Sequence, residues 1–266
     1  MQVYESMADN RECRTDKEEI SVILSLIMDM GELLLAHGAE VSRVEDTIRR
    51  LCRAYGCIRS DVFTITSSII VTAVSPGEYA VTQTRRIRER DTDLGTVEKV
   101  NALARSVCGE PVSAAILRQE IQLIREAKKA PWYLNLAMYM MISASLSVFF
   151  GGTWMDGLAA SLSGMVLYAA LYGSSVLKLN SIIQTMACSA LTALSVMLLL
   201  RLGIGSHPDK IMIGNIMLVI PGIQLTTSIR DMINGDMISG LLNMSEALLK
   251  AISVAMGFAI IVIMGG

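Results

Sequence analysis

The sequence predicts an α-helical membrane protein with about five transmembrane helices, preceded by a small cytoplasmic α+β domain that contains a β-hairpin. The first observation is charge: up to Lys129 the chain carries 18 Lys or Arg and 20 Asp or Glu residues, and beyond it 5 of each sign. The second is length, because the later part contains five apolar segments and a helix needs roughly 20 apolar residues to span a bilayer. We therefore expect one region in water and one in lipid.

The predicted cytoplasmic region consists of a lead-in and a folded domain. Residues 1–15 are polar and predict a disordered lead-in, and residues 1–19 carry too many charges for a signal peptide. Residues 16–129 form the predicted domain, whose balanced charge gives no reason to expect a nucleic-acid partner. The five cysteines of the chain form no CxxC pair and no Cys/His cluster, so we expect no metal and no other cofactor.

Two amphipathic helices open this domain. Apolar residues recur at helical spacing over residues 16–37 and again over residues 40–55, and a glycine follows each helix. His37 is either a proton relay or a residue that caps the end of the first helix. Arg43 and Glu45 lie off the apolar stripe of the second helix, so they are either functional or a solvated pair.

A β-hairpin is predicted next. Residues 62–74 are rich in β-branched side chains, a Ser-Pro-Gly turn follows, and residues 79–87 alternate between apolar and polar side chains. The flanking helices are expected to cover the hairpin, because a hairpin alone is barely stable in water. Two further helices are predicted over residues 96–107 and 113–129. We expect four hydroxyl side chains to share one face of the first strand: Thr64, Thr66, Ser68 and Thr72.

Residues 130–266 form the predicted transmembrane domain, with spans near 131–151, 154–173, 180–200, 211–229 and 238–264. The second span has small residues at the spacing that lets membrane helices pack closely. Asp156, near its start, either joins a polar path or caps the helix. The fifth span contains Glu246 and Lys250, and such a charge costs roughly 2.5–3.5 kcal/mol at the centre of an isolated span. Their i,i+4 spacing allows an ion pair that offsets part of this cost; otherwise both lie near an interface.

The fourth span is interrupted by Pro221 and Gly222. Proline offers no N–H to the helix and glycine adds backbone freedom, so the helix is expected to kink or part there. Inside lipid such a break needs polar groups around it, and transporters use breaks of this kind to hold substrates. Polar residues flank it in the sequence: Asn215, Gln224, Thr227, Arg230, Asp231 and Asp236. The alternative is a structural kink that leads into a solvated loop.

Several short motifs resemble the threonine/serine exporter family. They are Gly38-Ala39-Glu40, Arg43-Val44-Glu45, the Thr/Ser-rich strand after Asp61, Leu218-Val219-Ile220-Pro221-Gly222, Arg230-Asp231, Gly235-Asp236 and Ser239-Gly240. The resemblance covers nearly all of the chain after residue 16. It implies export of threonine, serine or, in some members, dicarboxylates, driven by the proton gradient. It also implies that this chain is the larger half of a split transporter, whose other half is a small separate membrane protein.

The sequence therefore predicts a subunit of a secondary exporter of small polar metabolites and not an enzyme. We expect it in a bacterial-type plasma membrane, embedded in the lipid bilayer. Five spans are an odd number for a duplicated transporter, so a partner chain or a homo-oligomer should complete the substrate path. The alternative is a membrane-anchored sensor or scaffold whose cytoplasmic domain binds a ligand or protein. A hydrolase that uses the Thr/Ser strand is a third hypothesis, although no GxSxG elbow is present.

Each predicted site residue has an expected role. The backbone at Pro221 and Gly222 would face the substrate, with Gln224 and Thr227 as neutral contacts. Asp231 and Asp236 are the candidates for proton or ammonium coupling, and Arg230 for an ion pair or a carboxylate contact. If the two aspartates lie in a cytoplasmic loop, they are expected to cap and gate instead. Asn215, Asp156, Glu246, Lys250, His37, Arg43 and Glu45 complete the set, and no residue is expected to be catalytic or to bind metal.

Overall fold

The computed structural model describes residues 2–127, 130–176 and 180–265. The chain divides into two compact units, Met1–Lys128 with Thr226–Met244, and Lys129–Leu225 with Ser245–Gly266. In chain order its elements are α1 (Gln2–Ala36), α2 (Val41–Ala54), β1 (Arg59–Ile65), β2 (Ser68–Val74), β3 (Ala80–Arg86), α3 (Leu94–Gly109), α4 (Ala114–Arg125), α5 (Trp132–Phe149), α6 (Trp154–Val176), α7 (Ser181–Arg201), α8 (Pro208–Val219), α9 (Gly222–Ile233) and α10 (Met237–Gly265).

The first unit is built around α1. This helix packs against α2, α3, α4, β2 and β3, and its apolar stripe forms the centre of the core. Gly31 lets α1 approach α2 closely, because a Cβ atom at this position would lie 2.8 Å from Ile48 Cδ1. The core side chains with little or no exposure include Leu24, Ile27, Leu34, Ile48, Leu51, Ile69, Val71, Val100 and Leu117.

The sheet has three antiparallel strands in the order β1-β2-β3. The prediction of one strand over residues 62–74 is wrong, because the chain turns back at Thr66 and Ser67 and pairs Ile65 with Ser68. This turn contains no glycine, proline or asparagine, and Ser67 is a weaker turn signal than any of these residues. The predicted hairpin between the second and third strands, β2 and β3, is present.

The hydroxyl side chains that were predicted to share one face of a single strand lie on both sides of the sheet. Thr64 pairs with Ile69 and is buried on the core side of the sheet, whereas Thr72 lies on the other side and its hydroxyl is 2.9 Å from that of Thr82. The expectation that these hydroxyls share one face is therefore wrong. The sheet is covered by α1, which packs on β2 and β3, and by α2, which packs on β1, whereas α3 packs against α1 and α2, and α4 against α1 and α3. The predicted end of the last of these helices at Lys129 lies outside the described residues.

The first helix is longer than the sequence predicts. Its backbone is helical from Gln2, so it includes the residues that composition assigned to a disordered lead-in, apart from residue 1, which lies outside the described range. Glutamate, methionine and arginine each occur twice in residues 1–15, and all favour helix. High polarity alone therefore did not separate a polar helix from a disordered segment.

Apolar helices form the second unit, and the parts of α9 and α10 within residues 226–244 belong to the first unit. Among the described residues, four helices, α5, α6, α7 and α10, are long and apolar enough to span a membrane, and α8 with α9 forms a fifth span if the bent pair counts as one. This confirms the predicted fold class. Two glycines let helices of this unit pack closely. A Cβ atom at Gly214 of α8 would lie 2.6 Å from the carbonyl oxygen of Ser143 on α5. A Cβ atom at Gly157 of α6 would lie 2.9 Å from Val148 Cγ2 on α5.

Candidate functional site

The break at Pro221 is present in the structure. The helix α8 ends at Val219, α9 begins at Gly222, and the two are bent by 53°. The hydrogen-bond ladder restarts at once, since the Leu225 N–H donates to the carbonyl oxygen of Pro221 at 3.0 Å. The prediction that the helix parts at Pro221 and Gly222 is therefore confirmed.

A charged pair lies next to this break within the second unit. Lys250 Nζ is 2.8 Å from Glu246 Oε1, as their i,i+4 spacing predicts, and it also donates to Gln224 Oε1 at 3.3 Å. Gln224 is in the first turn of α9, so the pair on α10 is joined to the start of the helix that follows the break. The Lys250 side chain is 24% exposed and the Glu246 side chain is 43% exposed. Gln224, Glu246 and Lys250 therefore form one polar cluster, which we call the break cluster.

The break cluster has the chemistry to bind a small zwitterion or a carboxylate. An ammonium group attracts a carboxylate, and a carboxylate attracts an ammonium group, with greater strength where water is scarce. The amide of Gln224 can donate and accept hydrogen bonds without adding charge. Thr227, one turn further along α9, is half-buried.

Asn215 is buried at the contact of three helices. Its Nδ2 donates to Ser163 Oγ at 2.8 Å and to the Ile211 carbonyl at 3.0 Å, and its Oδ1 is 2.9 Å from Ser143 Oγ. Each polar atom of the side chain thus has a partner on α5, α6 or α8. Asn215 is placed as a bridge between helices and not in the break cluster.

Asp156 has the geometry of a cap. Its carboxylate accepts hydrogen bonds from the backbone N–H groups of Thr153, Ser206 and His207 at 2.6–3.0 Å. The same carboxylate is 2.8 Å from His207 Nδ1. These contacts satisfy N–H groups at the start of α6 and hold the loop between α7 and α8, which agrees with the capping alternative.

At the far end of α9, three side chains contact the start of α2 within the first unit. Asp231 is 1% exposed, and its Oδ1 accepts a hydrogen bond from the Val41 N–H at 3.2 Å. Arg230 forms an ion pair with Glu40, and Asn234 Nδ2 donates to Ser42 Oγ at 3.2 Å. The start of α2 has no side-chain cap of its own, so α9 supplies the acceptor and the negative charge that a helix N-terminus favours. We call these contacts the helix clamp.

The helix clamp continues into α10. Arg90 donates to Asn243 Oδ1 at 2.8 Å, and the Asn243 side chain hydrogen-bonds Asp231. Gly235, with φ of 98°, forms the turn between α9 and α10, a conformation that side chains disfavour. Gly240 lets the two helices approach, since a Cβ there would lie 2.7 Å from the Ser228 carbonyl oxygen. Asp236 is half-buried directly before α10.

The remaining predicted residues lie elsewhere in the first unit. Glu45 Oε1 accepts from the Thr64 N–H at 2.9 Å and its other oxygen pairs with Arg49, so it joins α2 to the sheet. His37 lies after the end of α1, and its Nδ1 is buried without a hydrogen-bond partner among the described residues. Its carbonyl accepts from the N–H of Asp93, a residue whose pKa is lowered by its hydrogen bonds to Thr96. Arg43 is exposed on α2.

Several contributors were not anticipated from the sequence. Arg90, Asn234, Asn243 and His207 were given no role. His207 contacts Asp156 and Asn243 contacts Asp231, while Arg90 and Asn234 extend the helix clamp through Asn243 and Ser42. The serines at positions 143 and 163 face Asn215, and a helical wheel of the spans would have marked them as polar residues on otherwise apolar helices. No group of three or more potential metal ligands occurs in the described ranges.

Comparison with known proteins agrees with this architecture. Residues 25–265 match the model of the threonine/serine exporter family. The chain is 24% identical over 259 residues to the "Probable succinate transporter subunit YjjP" of Klebsiella aerogenes, an alignment that covers 95% of this chain and 98% of the relative. It is 20% identical to the "Threonine/serine exporter" of Corynebacterium glutamicum, covering 88% of this chain and 50% of the relative, and 23% identical to the "Probable threonine/serine exporter" of Mycobacterium tuberculosis, covering 90% and 45%.

The chain thus spans nearly all of the Klebsiella relative and about half the length of the two exporters. No solved structure matches it. The family match extends from the core of α1 to the end of α10 and includes both the helix clamp and the break cluster. The chain therefore belongs to the threonine/serine exporter family, a family of multi-pass membrane transporters and not of enzymes.

Proposed function

We propose that this chain is a subunit of a proton-coupled secondary transporter that exports threonine- or serine-like amino acids or small dicarboxylates. The break cluster supports this proposal most directly, because it sets a Lys–Glu pair beside a broken helix within apolar spans. Discontinuous helices hold substrates in other transporters for the same physical reason, since the break leaves backbone dipoles available.

Charge complementarity favours an amino acid as the cargo. A zwitterion carries one carboxylate for Lys250 and one ammonium group for Glu246. A dicarboxylate would place its second negative charge near the Glu246 carboxylate, and like charges repel strongly where water is scarce. A dicarboxylate is therefore the cargo only if Glu246 is protonated when it binds.

Coupling and gating are proposed for different residues. Glu246 belongs to the break cluster, so it is the candidate for the carboxylate that couples proton binding to cargo transport. Asp231 accepts a hydrogen bond from the Val41 N–H, so we propose that it takes part in gating together with Arg230 and Asp236. Asn215 is proposed to fix the helices around the site.

A partner subunit is part of the proposal. Two relatives, from Klebsiella aerogenes and Escherichia coli, are named as transporter subunits. Up to five spans here require a further wall around a central path, which a small separate membrane protein or a second copy of this chain would supply. We place the complex in a bacterial plasma membrane with the N-terminal domain in the cytoplasm. Family membership disfavours the sensor and hydrolase alternatives as the main function.

An efflux assay tests the proposed site. Cells that lack their own exporter are loaded with a threonine dipeptide or with succinate, and export is measured with this chain and its candidate partner present. Lys250→Met is expected to reduce export about tenfold or more, because it removes a charge-assisted contact worth about 1.5–3 kcal/mol. Lys210→Met is the matched control, since Lys210 pairs with Asp209 at the start of α8 and is not part of the break cluster.

The outcomes separate the parts of the proposal. Export that requires both chains, loses rate in Lys250→Met and persists in Lys210→Met supports the site. Export of threonine but not succinate identifies the cargo class. Normal export by Lys250→Met would exclude the break cluster, and export unchanged by deletion of this chain would exclude the function.

A further inference from the structure

A polar concavity lies in the N-terminal domain, and none of its lining residues has a role in the proposed transport site. It is a groove of about 420 Å³ between α2 and α3. The lining residues on α2 are spaced i, i+3, i+4 and i+7, and those on α3 follow the same spacing. Residues at this spacing lie on one side of a helix, so each helix lines the groove with one face. The small side chain of Ala104 and the absence of one at Gly109 leave room between the two faces.

The groove carries an excess of positive charge. Arg43, Arg50 and Arg105 line it together with a single carboxylate, that of Asp46. Asp46 pairs with Arg50 at 2.8 Å, and in the described part of the chain neither Arg43 nor Arg105 has an ion-pair partner. Burial raises the pKa of the Cys108 thiol at the groove wall, so that thiol adds no negative charge.

The neutral residues fit an anion as well. The Asn101 amide on α3 can donate hydrogen bonds to an anion, whereas the Thr47 hydroxyl on α2 donates to the Arg43 carbonyl oxygen at 2.8 Å and adds no charge to the groove. Arginine binds carboxylates and phosphates through two parallel N–H groups, and Arg43 and Arg105 approach from opposite helices. Guanidinium groups held apart on two helices can bind both ends of a compact ligand that has two negative charges.

We infer that the groove between α2 and α3 binds a small dianion, either a dicarboxylate or a phosphate-bearing metabolite, at a site separate from the break cluster. Arg43 belongs to the same helix that Asp231 caps through Val41, two residues away along the chain. A bound dianion would join α2 to α3 and so restrain the start of α2, where the helix clamp is attached. The site is thus placed to sense a cytoplasmic metabolite and adjust transport.

Binding to the purified full-length chain in nanodiscs tests this inference. Isothermal titration uses inorganic phosphate and succinate separately, at constant ionic strength maintained with chloride. The variant Arg43→Gln with Arg105→Gln is expected to weaken binding about tenfold or more. The matched control is Arg53→Gln with Arg118→Gln, which removes the same charge from exposed positions outside the groove. Both arginine pairs are exposed, and thermal unfolding without anion verifies that each variant is folded.

Succinate could also reach the transport site, so its titration is repeated in Lys250→Met. The inference is supported if either probe binds saturably, if that binding persists in Lys250→Met and in Arg53→Gln with Arg118→Gln, and if it weakens in Arg43→Gln with Arg105→Gln. The probe that binds identifies the ligand class. Failure of both probes to saturate, or equal weakening in the two arginine pairs, overturns it. Loss of succinate binding in Lys250→Met, with no phosphate binding, also overturns it and leaves the proposed transport site intact.

Discussion

The two ends of α9 make different use of charged groups. At its start, Gln224 accepts a hydrogen bond at 3.3 Å from Lys250, which forms a partly exposed pair with Glu246. Near its other end, Asp231 is buried and accepts a hydrogen bond from a backbone N–H at the start of α2. A carboxylate whose partner is the protein backbone stabilises structure, whereas a partly exposed ion pair with a long neutral contact can exchange its partners for a ligand.

This difference reverses the order of importance that the sequence suggests. Asp231 and Asp236 are the obvious acidic candidates because they follow the break in the chain. The structure places Asp231 in the helix clamp, and it places Glu246 and Lys250, the secondary candidates, beside the break. The Glu246–Lys250 pair, which we propose to hold cargo, is therefore distinct from the contacts of Asp231 at the start of α2.

The largest effect on stability is expected from Asp231→Ala. The change leaves the Val41 N–H buried without an acceptor and removes the negative charge at the start of α2, at a cost of about 1–3 kcal/mol in the free energy of unfolding. Asp231→Asn keeps an acceptor and should lose less than half as much. Chemical unfolding of both variants, with hydrogen exchange at residues 41–44, measures the difference. Equal stability of Asp231→Ala and the wild type would show that the helix clamp does not stabilise α2.

A smaller effect is expected from Pro221→Ala, which restores an N–H donor and lets α8 continue towards α9. Export should slow several-fold while membrane insertion is unchanged, because the break cluster would lose its position relative to the bend. Leu218→Ala, in the same helix but before the break, is the control. A normal export rate in Pro221→Ala would mean that the bend is a structural kink without a role in transport.

The smallest effect is expected from Arg230→Gln. This residue pairs with Glu40, but its side chain is 56% exposed, and exposed ion pairs contribute about 0.2–1 kcal/mol. The free energy of unfolding should fall by no more than this amount, and the loss should shrink in high salt because surface charges are screened. A loss as large as that of Asp231→Ala, independent of salt, would show that Arg230 and Asp231 act as one unit and not as separate contacts.

The sequence predicted those features that depend on local chemistry. Pro221 interrupts its helix wherever that helix lies, and the i,i+4 spacing of Glu246 and Lys250 is enough to predict their pairing. Charge and apolar length likewise predicted the fold class, which is apolar helices together with a small sheet near the N-terminus. These predictions succeed because each rests on residues within a few turns of one another.

The features that the sequence did not predict are contacts between residues far apart in the chain and a turn without glycine or proline. Asp231 and Val41 are 190 positions apart, so nothing local indicates that a carboxylate after the break caps a helix near the N-terminus. The contact of Asp156 with His207 joins positions 51 apart. The turn at Thr66 and Ser67 follows β-branched residues without glycine or proline, so the stretch looked like one strand.

Threonine binding to the assembled transporter tests most directly whether cargo is held at the start of α9 and not at its end. Radiolabelled threonine is titrated onto the wild type, Lys250→Met and Asp231→Asn, each purified with the partner subunit. Lys250→Met is expected to weaken binding about tenfold to a hundredfold, and Asp231→Asn to leave it within about threefold. Wild-type affinity in Lys250→Met together with lost binding in a folded Asp231→Asn would contradict this assignment.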